Sequence, residues 1–457
     1  MNSKVLMLLY RFPPMGGSGV QRSLKFVKYL PGFGWDPIVV TATGKVDISQ
    51  DKSLEREIPA GMSIFRIPSL EPSLFRPWRN SNPVNAARPM PPQKKLLHRL
   101  IKFGRKLRRI LTFLLIPDEQ VFWSLFTIPV GVWICLRHQV KVIFASARPF
   151  SCLVSAATIG KLCRIPVVMD IRDPLTDGLD YTYGGFRRRI DRSIEGNVLR
   201  SAEYVTTVNN PLASHYRDQF PSLARQRFFE LPNGYDEEDF ADIGFSLGNV
   251  GRQDPVPTIQ KSTLSLVHVG QIYPGATEGL VDFLVELRKN DPDQGKALSV
   301  RLIGGLPIPE VDMDLIRSTE LEPIFSIEKR VDHITALEEM VKADFLLILR
   351  PMAFDVPHMG AGKIYEYLRA GRPILAFGPD NGVIAEIVQA AGIGQYVSKG
   401  NERSAIEFIQ AFVHGSLQIS PDWEYVQQFD RRQQTLRLAQ LFEEASKSDE
   451  FRNRQLI

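Results

Sequence analysis

Short, mostly apolar stretches recur along the chain, many of them followed by a stretch in which apolar residues return at helical spacing. In the first half the runs are Val5–Tyr10, Pro37–Thr41, Val142–Ser146, Pro166–Ile171, Tyr204–Asn209 and Arg227–Leu231. In the second half they are Leu264–Val269, Ser299–Ile303, Phe325–Val331, Phe345–Leu349 and Ile374–Phe377. Runs of this kind, without polar alternation, predict strands covered on both faces, and helices between them predict a parallel winding. Two such series are separated by a polar, Gly- and Pro-rich stretch at 241–262. The expected organisation is α/β, with two Rossmann-like doubly wound parallel-sheet domains, at 1–240 and 263–422, joined by that linker. A final amphipathic helix is expected from Trp423 to Ala445, with Leu436, Leu438, Leu441 and Phe442 on its apolar face, inside a terminal segment at 423–457.

Two stretches break the rhythm. Val121–Leu136 is apolar but contains Ser124, Thr127, Pro129 and Gly131 and is short for a membrane span, so a buried helix is expected. Before it, from Pro72 to Pro117, there is no acidic residue. Lys94, Lys95, Arg99, Lys102, Arg105, Lys106, Arg108 and Arg109 alternate there with Leu96, Leu97, Leu100, Ile101, Phe103, Leu107, Ile110 and Leu111. The spacing predicts a basic amphipathic insertion at about 90–116, suited either to an anionic membrane surface or to a solvated helix covering the sheet.

Composition adds little to this. A length of 457 residues is too great for one core, and the net charge of +5 is small. Nucleic acid is a poor partner, because the basic stretch has few aromatics and no binding module is recognisable. Cys135, Cys152 and Cys163 lack metal-ligand spacing and read as free thiols of a reducing compartment. The first apolar run is too short for a secretory leader, so a cytoplasmic protein is expected.

Glycine loops carry the candidate chemistry. After the run Phe345–Leu349 come Arg350, a loop with His358, Gly360 and Gly362, and then Lys363, Ile364 and Glu366 at a helix start that ends at Gly371. Unpaired N–H groups and the helix dipole favour an anion there. Lys363 is at the wrong end for the dipole, which an anionic ligand explains, and Glu366 can accept hydrogen bonds from hydroxyls. A solvated Lys363–Glu366 pair is the plain alternative. Gly304 and Gly305 close another run where backbone can approach a ligand. At the N-terminus, Gly16, Gly17 and Gly19 follow the first run, but Arg22 stands where a dinucleotide fingerprint has its third glycine and no acid ends the second run, which disfavours NAD. Arg172 and Asp173 end a buried run and point to substrate contact or to a mutual ion pair.

Leu231-Pro232-Asn233-Gly234-Tyr235-Asp236 through Phe240 resembles the PNG-D…F segment that closes the N-terminal domain of family-4 glycosyltransferases of the GT-B fold. Phe12-Pro13-Pro14-Met15-Gly16-Gly17-Ser18-Gly19 resembles their acceptor-side loop, and 351–379 a variant of their donor motif. The likeness covers nearly the whole chain and is nearest to bacterial polysaccharide and lipopolysaccharide enzymes with Arg-Asp-Pro after the fourth strand. Several positions depart from the pattern. His358 replaces the first motif glutamate, Gly270–Glu278 lacks the usual arginine and lysine, and Arg172 stands for the usual histidine.

The resemblance implies a retaining glycosyltransferase needing no metal or other cofactor, with a nucleotide-diphosphate sugar bound to the C-terminal domain. Gly270, Gln271, Gly304, Gly305, Arg330, Val331, His358, Gly360, Gly362, Lys363, Ile364 and Glu366 would bind the donor. Lys363, Arg350 and Arg172 would supply catalytic charge against the leaving diphosphate. Gly16, Gly17, Arg172 and Asp173 would meet a saccharide or lipid-linked acceptor, and the final helix would return to the N-terminal domain. Such an enzyme would serve envelope polysaccharide assembly from the cytoplasm or the inner face of the membrane. The alternatives are a sugar-nucleotide epimerase of the same fold and a catalytically silent binding subunit.

Overall fold

A computed structural model describes residues 2–43, 51–69, 112–178, 181–221, 223, 227–245, 263–352, 362–380 and 382–448. The basic insertion up to residue 111, most of the linker, His358 and Gly360 lie outside the described residues. The chain divides into two compact units, Met1–Leu231 with Thr435–Ile457, and Pro232–Gln434.

The first unit is built on a parallel sheet of β1 (Ser3–Leu8), β2 (Trp35–Thr43), β3 (Ser63–Pro68), β4 (Val142–Ser146), β5 (Val167–Ile171), β6 (Tyr204–Thr207) and β7 (Phe228–Glu230), in the order β3-β2-β1-β4-β5-β6-β7. The direction of winding reverses between β1 and β4, where Leu8 pairs with Ala145. All of Val142–Ser146 and Val167–Ile171 are buried, which is why these strands carry no polar alternation.

The second sheet is also parallel: β8 (Leu264–Val269), β9 (Leu298–Ile303), β10 (Phe325–Glu328), β11 (Phe345–Leu349), β12 (Ile374–Phe377) and β13 (Gly394–Val397), ordered β10-β9-β8-β11-β12-β13. Successive side chains of β11 serve opposite faces: Leu346 and Ile348 enter one core cluster, Phe345, Leu347 and Leu349 another. Both faces are thus apolar, as the unbroken runs require.

Three expectations are corrected. The first unit gives way to the second at Leu231, not at 240, because Tyr235 and Phe240 join the second core. Tyr235 N–H donates to the Phe429 carbonyl at 3.1 Å, the Tyr235 carbonyl accepts from Arg431 N–H at 2.8 Å, and a side chain at Gly234 would overlap the Phe429 carbonyl. Close backbone approach therefore explains the glycine at 234.

The helix expected over Trp423–Ala445 is two, Trp423–Gln427 and Arg431–Lys447, because Asp430 accepts from the N–H groups of Arg432 (2.7 Å) and Gln433 (3.1 Å) and starts the second. The end of that helix does belong to the first unit, where Phe442 packs edge-on against Trp35 and Phe144.

Finally, the apolar stretch at Val121 is a helix, Val121–His138, but one face of it is not buried. Its inner face holds Trp123 and Ile134, both fully buried, with Ser124, which meets Ser155 at 2.6 Å, and Gly131, which leaves no room for a Cβ beside Ile159. Phe122, Leu125, Phe126, Trp133 and Leu136 stay exposed.

Candidate active site

In the second unit the winding reverses between β8 and β11, and ligands of such sheets sit outside the carboxyl ends at that place. β8 runs out into His268, Val269, Gly270 and Gln271. Gly270 has φ 151° and Gly304, after β9, has φ 83°, conformations that favour glycine. A Cβ on Gly304 would stand 3.3 Å from the Gly270 carbonyl, so the two loops are packed backbone to backbone. Gly305 is buried beneath, while Gln271 is exposed. The loop after Gly270 is anchored by buried Asp312, which accepts from Gly275 N–H, Thr277 N–H and the Thr277 hydroxyl at 2.7–2.9 Å.

The helix Ile364–Ala370 starts beside this floor, with Lys363 as its flanking residue. Tyr367 hydroxyl accepts from Val269 N–H at 2.8 Å and ties the helix to the end of β8. Glu366 is buried and pairs with half-exposed Lys363 at 2.8 Å, so an i,i+3 pair forms, but not the solvated one that was the plain alternative. Glu366 Oε1 also lies 4.0 Å from His333 Nδ1, and His333 Nε2 is 3.1 Å from Asp239. Gly362 is exposed at the loop end and Ile364 is core.

His268, marked in sequence only by standing two residues before Gly270 at a strand end, is drawn into the same cluster. Its Nδ1 is 2.9 Å from the Leu347 carbonyl; its Nε2 lies against the Gly270–Gln271 backbone without a hydrogen bond of good geometry among the described residues. Burial first, then repulsion from Lys363, holds its pKa down at about 4, so the ring is neutral at pH 7.

Arg350 is buried at the end of β11, where desolvation lowers its pKa against the favourable fields of Tyr396 and Tyr273. Arg330 and Val331 follow edge strand β10, Arg330 exposed and Val331 packed on the core. The structure therefore gathers Gly270, Gly304, Lys363, Glu366 and His268, with Arg350 at the neighbouring strand end. It leaves Arg330 on the surface.

In the first unit Gly17 (φ 112°) precedes the helix Ser18–Tyr29, whose first turn holds no acid; Gly16 is buried before it. Arg22, occupying the third glycine position, is wholly buried with Asp170: Nε and Nη2 reach the two carboxylate oxygens at 3.2 and 2.8 Å. Ser146 and Thr206 hydroxyls donate to the same carboxylate at 2.8 Å, and Arg22 also donates to the Leu231 carbonyl at 2.7 Å. Burial pushes the Asp170 pKa up, but the charge and hydrogen bonds of Arg22, the charge of Arg172 and the Ser146 hydroxyl together hold it below the usual carboxylate range. Arg172 donates through Nε to the Ala147 carbonyl at 2.8 Å, and its guanidinium fills the place a side chain at Gly19 would need. Asp173 is exposed and lies 3.9 Å from Arg148, not in an ion pair with Arg172.

Residues 17–234 match the model of the family described as Glycosyl transferase 4-like domain. No curated protein matches the chain. Among solved structures it is similar to a glycosyltransferase from Rickettsia africae (13% identity, TM-score 0.61, covering 98% of this chain and 99% of that one). It is also similar to HepE of Anabaena, solved in complex with UDP-glucose (14%, 0.58, 96% and 99%). A third is the lipopolysaccharide outer core galactosyltransferase WaaB (11%, 0.56, 96% and 99%). The two parallel Rossmann-like units are those of the GT-B class.

Proposed function

We propose that the protein is a retaining, metal-independent glycosyltransferase that moves a sugar from a nucleotide-diphosphate donor to a saccharide or lipid-linked acceptor in envelope polysaccharide assembly. The observation that carries this reading is the glycosyl transferase 4-like domain at 17–234; the switch-point cluster of the second unit supplies groups suited to the donor. The Gly270 and Gly304 backbones form a floor that admits a ligand closely. Lys363 and Arg350 meet the charge that grows on the diphosphate as the glycosidic bond breaks. Glu366, presently held by Lys363 at 2.8 Å, takes the ribose hydroxyls, and the donor phosphate draws Lys363 away from it. Arg172 and the Gly16–Gly17 loop serve the acceptor side. The epimerase alternative needs acid–base carboxylates, and exposed Asp173 beside Arg148 is weak provision for that.

The test is release of free nucleoside diphosphate from a panel of UDP-, GDP-, ADP- and dTDP-sugars. Slow hydrolysis of one donor is expected, reduced at least about a hundredfold by Lys363→Ala, the scale of losing one preorganised charge contact at a developing anion. Glu366→Ala is expected to raise KM more than it lowers kcat, because it acts on the ribose. Hydrolysis that survives both substitutions would overturn the assignment of the donor site.

A further inference from the structure

Glu366 is a buried carboxylate that charge holds more than hydrogen bonding does. Its Oε2 lies 2.8 Å from Lys363 Nζ, yet makes no hydrogen bond of good geometry among the described residues. Its other oxygen, Oε1, faces His333 Nδ1 across 4.0 Å. That gap is too long for a hydrogen bond and short enough for a side-chain rotation to close.

His333 is the first residue of the helix His333–Lys342, and its side chain is 12% exposed. Asp332, which caps that helix, is committed to Thr335, accepting from its N–H at 3.0 Å and its hydroxyl at 2.7 Å. On the other side of the ring, Nε2 is 3.1 Å from Asp239, in the helix Glu237–Asp242. The imidazole thus stands between two carboxylates, one within bonding distance and one just beyond it. A tie between two helices accounts for Nε2 and Asp239. It does not account for Nδ1, which faces a buried carboxylate that already has a cation beside it.

The donor reading supplies a use. When a diphosphate draws Lys363 away, Glu366 is left buried without its cation, which is costly unless another donor takes the cation's place. His333 is the donor within reach, and a ring protonated on both nitrogens serves both carboxylates.

We propose that His333 is a positioning residue for Glu366: as Lys363 leaves, the ring closes on Oε1 and turns Oε2 to the hydroxyls of a ribose. The site is therefore selective for ribonucleotides over their deoxy analogues. This selectivity rests on the donor-site reading; the handover from Lys363 to His333 does not, because it needs no nucleotide.

Calorimetry on the full chain with UDP, GDP and ADP, and with the 2′- and 3′-deoxy forms of whichever binds, tests the selectivity. The ribonucleotide should bind at least about tenfold more tightly than a deoxy form, the scale of one hydrogen bond to a charged group. His333→Gln places an amide where Nε2 was and keeps the tie to Asp239, so the unit folds while the donor to Glu366 is lost. It should abolish most of that preference and leave the deoxy form's affinity unchanged. His333→Asn places its amide where Nδ1 was and should retain the preference. Equal weakening of both ligands by His333→Gln would make the ring a helix tie only and overturn the proposal, as would a protein that never prefers the ribonucleotide.

The handover is read without ligand. In Lys363→Ala, nitrogen-15-edited NMR should show a hydrogen-bonded His333 Nδ1 proton, assigned by its loss in His333→Gln, that vanishes when Glu366→Ala is added. Its absence would refute the handover. If none of the three nucleotides binds, the donor-site reading and the selectivity fall together, while this spectrum still decides whether His333 takes Glu366.

Discussion

Arg22 and Asp170 show how one residue can look anomalous in sequence and be fully explained in space. An arginine at the third glycine position excluded the dinucleotide fingerprint, but its partner lies 148 positions away and no local pattern joins them. A buried ion pair of this kind is expensive to break singly. Arg22→Met or Asp170→Asn is expected to cost about 3–5 kcal/mol in denaturant unfolding, while a change in both positions at once should cost less than the sum. Because the folded pKa of Asp170 is depressed, its contribution is present above the ordinary carboxylate range and is lost as pH falls through the folded value, so the pair belongs to acid sensitivity.

His268 has the same sign and a different window. Folding holds it neutral down to about pH 4, whereas the unfolded ring protonates near 6.5, so stability falls as pH drops between these values. Between pH 6.5 and 5 the loss should be about 2 kcal/mol, and His268→Gln should remove that part of the pH dependence. A profile unchanged by the substitution would show that the ring is not the titrating group. Its position, two residues before a glycine at a strand end, was the one signal in the sequence.

At the scale of elements, strands buried on both faces were legible, whereas of the edge strands β7 and β10 were anticipated and β3 and β13 were not. Leu264–Val269 and Phe345–Leu349 match their apolar runs residue for residue. Ser63–Pro68 and Gly394–Val397, each at a sheet edge, are half covered and have no such run. The helix Val121–His138 misleads in another way: mean apolarity says core, but only one face packs, with Trp123, Ser124, Thr127, Gly131 and Ile134, while Phe122, Leu125, Phe126, Trp133 and Leu136 remain outside. It is long and apolar enough to cross a membrane by length and composition, with a third of it buried. The exposed face, following directly on the basic stretch at 94–109, suits a protein lying on an anionic bilayer. Co-sedimentation with vesicles containing anionic lipid should fall several-fold on replacing Leu125, Phe126 and Trp133 with serine, with donor hydrolysis unchanged. Equal sedimentation of the two proteins would refute that role.

For the whole molecule, the class of fold was legible because it depends on repetition, on two series of apolar runs with glycine loops at their ends. The division of the chain was not, because composition marks a linker at 241–262 while packing makes the boundary at Leu231. Gly234 is the point where this can be checked. Gly234→Ala would overlap the Phe429 carbonyl and is expected to destabilise the second unit by about 2 kcal/mol or more, seen in thermal unfolding. The substitution leaves the first unit's sheet untouched, so protection of its amides from hydrogen exchange should not change.

The return of Thr435–Ile457 to the first unit sets an order of events on the ribosome. Trp35 and Phe144 are made early, but Phe442, the ring that covers both, emerges only after the second unit's roughly two hundred residues have been translated. At typical elongation speeds that interval is about 10–40 seconds. During it the first unit waits with an uncovered aromatic pair, and a chain cut short before residue 435 would never close it.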